Sequence, residues 1–413
     1  MEVKVKVNEF YGDNELSLKF PEKWDVNIIK MAGHDAPQLT NDQIKDAFQH
    51  PIGTQTIEEM AKGKKGRVVV TCDDLTRPTP AHKVFPFIME ELKNAGITDD
   101  QIFILGSFGA HPPMNLDEFT RKVGDKMVAK YPCVNHNCYD HLEKIGISEL
   151  GTPVQINKEF YEADLKITVS GIKKHALAGS GGGGKAVLPG VTSLETILWN
   201  HHVVHGSQPN KIWSLKDNLV RQDMQQIARM AELDVSVNCN YNGKRELVGL
   251  HIGDVDDAWK EAVKLCYQLH ETPPVKEKAD IVIANSYPKA AQGTDFWCAN
   301  ASLKEGGTPV GIHHYLPGRA IVHYRSEYIG SNWQRIEGST PKRWPVKNAE
   351  HIIMFADRLQ KSYMLGYEDS VEWTTSWGQT IKSMREIHGD EARVAIYPCS
   401  ALQFEKKENP LIL

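Results

Sequence analysis

The chain has 413 residues and 46.4 kDa, 41% hydrophobic and 24% charged, enough for two or three cores at roughly 150 residues per domain. A net charge of -5 and a pI near 6.4 argue against nucleic acid as the principal ligand. No apolar run reaches the roughly 18 residues of a membrane span, and seven scattered cysteines make no disulfide framework. The expectation is therefore a cytoplasmic enzyme without a membrane or nucleic-acid partner.

Residues 3–7 and 15–20 alternate apolar and polar, and Tyr11-Gly12-Asp13-Asn14 supplies turn chemistry between them, which predicts an N-terminal β-hairpin. Residues 67–71 are a β-branched run. Residues 81–95 have helical composition, with Pro86 near the first turns and Gly96 as the stop. Short apolar runs at 102–105 and 165–169 and helical spacing over 218–233 continue a strand–helix series. That order favours a parallel sheet with helices on both faces. An amphipathic helix over 255–270 precedes the linker-like segment 272–278, and residues 279–285 open a second series. The expected architecture is two α/β domains, 1–271 and 279–399, facing each other across a cleft, with the tail 400–413 rejoining the first.

Residues 179–185 spell Gly-Ser-Gly-Gly-Gly-Gly-Lys, which satisfies the G-x-x-x-x-G-K pattern of a phosphate loop. Two features count against that reading. Ala186 replaces the hydroxyl residue that would hold magnesium, and the preceding strand ends some nine residues upstream rather than at the loop. His175 lies ten residues before Lys185, and His201 sixteen after it. Cys72-Asp73-Asp74-Leu75-Thr76-Arg77-Pro78 and Gly106-Ser107-Phe108-Gly109-Ala110-His111 follow two predicted strands, whose carboxyl ends face the crevice in an open parallel sheet. Acids, an arginine and histidines converge there.

The set Asp74-x-x-Arg77-Pro78, Gly109-Ala110-His111, His175, glycine loop, Lys185, Pro189-Gly190 and His201 resembles the nickel-dependent lactate racemase family. The resemblance implies an isomerase that inverts C2 of a 2-hydroxy acid by hydride transfer to a nickel pincer nucleotide. It implies that Lys185 carries this cofactor covalently, with Asp74, Gly181, Gly182 and Gly183 around it, and that His201 ligates nickel. His111 and His175 match the acid–base pair, and Arg77 a carboxylate ligand; the cofactor comes from separate biosynthetic proteins. These residue types suit the chemistry: neutral imidazole is a good nickel ligand, and histidine titrates near neutrality, as a hydroxyl base should.

In the second half, Lys304 resembles the family's substrate-binding lysine, with Asn300 beside it and Trp377, with Trp373 as rival, as a pocket wall. Ala301 stands where lactate-acting relatives carry glutamine. The vacated space, with Asp295, Asn300, Ser302 and Trp297 around it, predicts a substrate larger or more polar than lactate. The competing readings are a phosphate-loop nucleotide enzyme and a metallohydrolase. The latter draws on the His201/His205 spacing, which lacks the usual glutamate; separately, Cys133 and Cys138 invite a structural zinc, though no second paired knuckle follows.

Overall fold

The computed structural model describes residues 1–7, 14–208, 214–288, 296–313, 344–346, 349–359, 364 and 367–405. Two six-stranded sheets organise these residues. The first runs Leu247–Gly253, Val235–Tyr241, Leu165–Gly171, Val68–Cys72, Ile102–Gly106, Cys133–Asn135, parallel throughout except for the antiparallel first pair. Val68, Val70 and Cys72 enter one core with Ile102 and Ile104, while Val69 enters another with Phe103 and Leu105. Both faces are thus buried, which is why Val68–Cys72 reads as a continuous apolar run without polar alternation.

Helices cover both faces. Phe85–Asn94, with Pro86 in its first turn, sets Phe85, Ile88, Met89 and Leu92 into the first core. Leu219–Met230, whose N-cap Asn218 side chain accepts from the Arg221 N–H, sets Val220, Met224 and Ile227 into the second. These are the i, i+4, i+7 positions of one helical face.

The second sheet runs Glu372–Thr374, Ile353–Phe355, Leu303–Ile312, Ala279–Asn285, Arg393–Tyr397, Asp25–Ile28, all parallel. Its last strand corrects the expected first domain of 1–271. Glu2–Val7 and Asn14–Lys19 do pair as an antiparallel hairpin, in the register Glu2↔Lys19, but Val3, Val5, Val7 and Leu18 pack on Ile283, Val310 and Phe355. Alternation gives a hairpin an apolar face without naming the surface that will cover it. The first sheet's faces are already taken by helices, so the hairpin lies on the second sheet. The expected turn at 11–14 falls, apart from Asn14, outside the described residues. At the junction, Glu271–Thr272 pairs with Phe404–Glu405, and the Tyr267 and Phe404 rings lie 4.8 Å apart. Phe404 and Glu405 therefore meet the end of the first unit's last helix.

Trp377 is also corrected. It opens the helix Trp377–His388 behind the N-cap Ser376, stands edge-on to Phe20 and Phe355, and donates from Nε1 to the Lys19 carbonyl at 3.1 Å. It joins hairpin to sheet and, among the described residues, does not line the cleft between the loops of the first sheet. Trp373 stands edge-on to Tyr367 in the same unit. All seven cysteines are free thiols, with Cys133 packed against the first core and Cys138 in the second, on opposite faces of the sheet. No helix among the described residues is long and apolar enough to cross a membrane.

Two predictions follow from this packing. Trp377→Ala should cost about 3–5 kcal/mol, as expected of a truncated core indole, read as a lowered urea midpoint without a change in KM where the protein is folded. His136 and His270 are buried against the Thr192 and Tyr241 carbonyls, and burial pushes both imidazoles down to about 4. The unfolded chain binds these protons below about 6.5 while the fold refuses them to about 4. Stability should therefore fall as pH drops through that window, by up to ~1.4 kcal/mol per pH unit for each ring. A urea midpoint unchanged between pH 7 and pH 5 would contradict this.

Candidate active site

In the first sheet Cys72 pairs with Gly106, and Leu165–Gly171 lies on the other side of the same central strand. The segments leaving these three carboxyl ends meet in one cleft, lined by Asp74, Arg77, His111, His175, Gly181, Gly182 and Lys185 among others. Asp73, Ser170 and Lys173 line it too, and the sequence reading gave them no role there.

Asp74 and His111 are buried and bonded, Oδ2 to Nδ1 at 2.6 Å. Burial alone would raise the Asp74 carboxyl, but His111, then Arg77 and Thr76, hold it well below the usual carboxylate range. An ionised carboxylate only accepts, so the proton of the neutral His111 ring sits on Nδ1 and Nε2 carries the lone pair. Burial also lowers His111, against the pull of Asp74. The pair is a base with its tautomer fixed, the same logic as an aspartate behind a catalytic histidine. Thr76 ties it to the anion clamp: its N–H donates to Asp74 Oδ1 at 2.9 Å, and Arg77 Nη1 donates to its hydroxyl at 2.7 Å.

Beneath this turn lies Lys122, a buried lysine the sequence gave no reason to single out. Its ammonium donates to Asp73 Oδ1 and the Arg77 carbonyl, each at 2.8 Å, and to the Thr79 carbonyl at 3.4 Å. Three donors meet three acceptors, so the segment from 73 to 79 is fixed from below. His175 sits in a tight pairing of Lys174–His175 with Gly179–Ser180. Its Nδ1 accepts from the Ala178 N–H at 3.3 Å, so the neutral ring carries its proton on Nε2.

The glycine loop is no phosphate cradle. Gly181 N–H donates to the Lys173 carbonyl, Gly183 N–H to Asn238 Oδ1 at 3.0 Å, Gly184 N–H to Gln225 Oε1 at 2.6 Å, and Lys185 N–H to the Gly182 carbonyl. Those amides are already engaged, which removes the basis of the nucleotide-binding alternative. On the other side of the loop, buried Arg221 donates to the carbonyls of Ala178, Ser180 and Gly182 and stacks over the Trp259 ring at 4.6 Å. Gly183 packs against Trp259, where a Cβ would lie 2.9 Å from the indole. Gly181 and Gly182 therefore face the cleft, whereas Gly183 does not line it and serves packing.

Lys185 projects from this loop. Burial, followed by Arg77, Arg221 and Lys173, pushes its amine well below the usual lysine range. His201 lies one helix away, in the π-helical turn Trp199–Val204. A π turn shifts side chains off the α-helical face and recurs at functional sites. No sequence signal marked it. Burial, then the nearby Lys185 charge, lowers the His201 imidazole to about 3, so the ring stays neutral. Gly109 (φ +60°) joins the two loops, donating to the Gly190 carbonyl at 2.8 Å, where a Cβ would meet the Pro189 carbonyl.

The second sheet supplies less than expected. Lys304 is corrected: it is exposed at the amino end of Leu303–Ile312, paired with Asp280 at 2.7 Å, whereas the cleft faces the sheet's other end. Asn300 is exposed on the helix Trp297–Ser302 and does not line the cleft. Ser302 bonds the Tyr397 hydroxyl, and Asp295 lies outside the described residues. His205 Nδ1 bonds Gln208 at 2.8 Å. Among the described residues no three His, Cys, Asp or Glu side chains gather as a metal cluster.

The family model "Lactate racemase N-terminal domain" matches residues 11–213. The lactate racemase of Lactiplantibacillus plantarum is 32% identical over 407 residues, covering 91% of this chain and 94% of that protein. The chain belongs to the lactate racemase family. A second lactate racemase, from Thermoanaerobacterium thermosaccharolyticum, is 30% identical over 72% of this chain and 71% of its own. The lactate racemase apoprotein structure from that organism superposes with a TM-score of 0.71 at 23% identity, covering 98% of this chain and 100% of its own. A Thermotoga maritima protein follows at 0.63 and 18%, covering 89% and 99%. Like its lactate racemase relatives, the chain is an isomerase.

The Asp74–His111 pair generates a pH prediction. A base works above its pKa, and burial sets His111 below the ordinary imidazole value, so the acid limb of kcat/KM should lie below pH 6.5. Asp74→Asn removes the charge that raises His111, so the limb should move to still lower pH while the rate falls on the order of 10²-fold or more. A limb that moves up would refute the assignment.

Proposed function

We propose that this protein is a racemase or epimerase that inverts C2 of a 2-hydroxy acid, with a nickel pincer nucleotide attached at Lys185. The observation that carries the reading is the convergence of a buried lysine, a histidine bonded through Nδ1 to an ionised aspartate, a second histidine and an arginine in one cleft. The residues fit the cofactor. Burial and the neighbouring cations favour the uncharged Lys185 amine, the form that bonds an activated acyl carbon, and an imidazole neutral to about pH 3 keeps its lone pair for nickel. Lys185 and His201 would hold the group, with Gly181 and Gly182 against it. Once bound, it supplies a centre that takes the C2 hydrogen with its electron pair and gives it back.

The chain's own residues do the rest. Arg77 grips the carboxylate, since an anionic substrate needs a fixed cation and a guanidinium can bind it through two hydrogen bonds. His111 Nε2 takes the hydroxyl proton as C2 becomes planar. His175 presents Nε2–H on its own side of the cleft. The two neutral rings thus differ in tautomer: His111 takes the hydroxyl proton and returns it at the end of the inversion, and the His175 Nε2–H is a hydrogen-bond donor to the C2 oxygen.

Protein made in a host that produces the cofactor tests the attachment. Intact mass should show an adduct on the wild type and none on Lys185→Ala. His201→Ala should keep the organic adduct and lose most of its nickel by metal analysis. An adduct persisting on Lys185→Ala, or nickel at wild-type stoichiometry in His201→Ala, removes that residue from the role.

A further inference from the structure

Ser170 closes the central strand Leu165–Gly171 at its carboxyl end, is 6% exposed and lines the cleft. Among the described residues its hydroxyl has no hydrogen-bond partner. Its polar neighbours do: Asp73 accepts from Lys122 and Thr79, Ser107 donates to the Cys72 carbonyl, and Lys173 Nζ donates to the Ala401 carbonyl at 3.3 Å. Thr71 and Thr168 also hold unpartnered hydroxyls, but they lie within the sheet and line no part of the cleft. A buried hydroxyl left unmatched loses its hydrogen bonds to water without replacement. At a strand end facing a ligand crevice, a ligand is the group that completes it.

We propose that Ser170 and Lys173 bind a hydroxyl on C3 of the substrate, so that a 2,3-dihydroxy acid is preferred to lactate; this rests on the 2-hydroxy acid reading of the cleft. A C3 hydroxyl donates to Ser170 Oγ and accepts from the Lys173 ammonium, and an apolar methyl does neither. The cleft's charges favour a hydroxyl over a second carboxylate. Lys122 neutralises Asp73, Asp74 is held by His111 and Arg77, and Arg77 is the one guanidinium among the described residues lining the cleft, which fits one carboxylate. This subsite takes the place of the groups expected near Ala301, of which Asn300 and Ser302 do not line the cleft.

The test compares glycerate, lactate and 2-hydroxybutanoate on cofactor-loaded wild type, Ser170→Ala and Ser170→Thr. Chiral chromatography reads C2 inversion, and intact mass reads the adduct. Wild type should favour glycerate over both others at least tenfold in kcat/KM. Ser170→Ala should lower that ratio tenfold or more with its melting temperature and adduct retained, and Ser170→Thr should restore it. A wild-type ratio near one, or a ratio untouched by Ser170→Ala, overturns the proposal. Loss of adduct mass in Ser170→Ala with the ratio unchanged also overturns it, since Ser170 would then serve the attached group. If loaded wild type inverts none of the three acids, the 2-hydroxy acid reading itself fails and takes this inference with it.

Discussion

The guanidinium of Arg221, buried and fastened to the carbonyls of Ala178, Ser180 and Gly182, is what the cleft depends on. Glycines alone give a loop freedom, and a free loop positions nothing. Arg221 on one side, with Asn238 and Gln225 taking the amides on the other, turns that freedom into one conformation. A buried cation satisfied by carbonyls also leaves its charge acting on its surroundings. That charge is one of the three that, after burial, push the Lys185 amine below the usual lysine range. The same contacts therefore set the place and the chemical state of the lysine.

A second buried cation does comparable work across the cleft. Lys122 fixes the 73–79 turn from below, so Asp74 meets His111 and Arg77 meets Thr76 without either reaching from a mobile loop. Both supports come from helices, Leu116–Val123 and Leu219–Met230, each packed on its own face of the first sheet. Rigid elements thus hold the groups that loops present, the arrangement that precise placement of reacting groups requires.

Much of this was legible in the sequence. Runs with strong periodicity or clear stops, such as Val68–Cys72, Phe85–Asn94 and Ala279–Asn285, form where composition predicts, because their local preferences agree with their burial. The histidines, Lys185 and Arg77 carried the site because their spacing is local and their chemistry distinctive. What escaped depends on distant partners. Nothing near Lys122 announces that its ammonium will find three acceptors more than forty residues upstream. The π turn under His201 is a packing outcome with no residue code. Lys304 and Trp377 were misplaced because a lysine or an indole reads alike whether it faces a cleft, an acid at the sheet's far end or a hairpin.

The strand Asp25–Ile28 completes the second sheet by pairing with Arg393–Ile396, more than 360 residues later. On a ribosome the consequence is an order of events. The first sheet's strands, all between residues 68 and 253, can be assembled while the second sheet still lacks its neighbour-forming strand. During that interval the N-terminal hairpin, with its valine face, has left the exit tunnel without the surface that will cover it. A long-range closure of this kind is slow and leaves apolar surface open to association. The half that holds the cleft can thus reach its final form before the second sheet is complete.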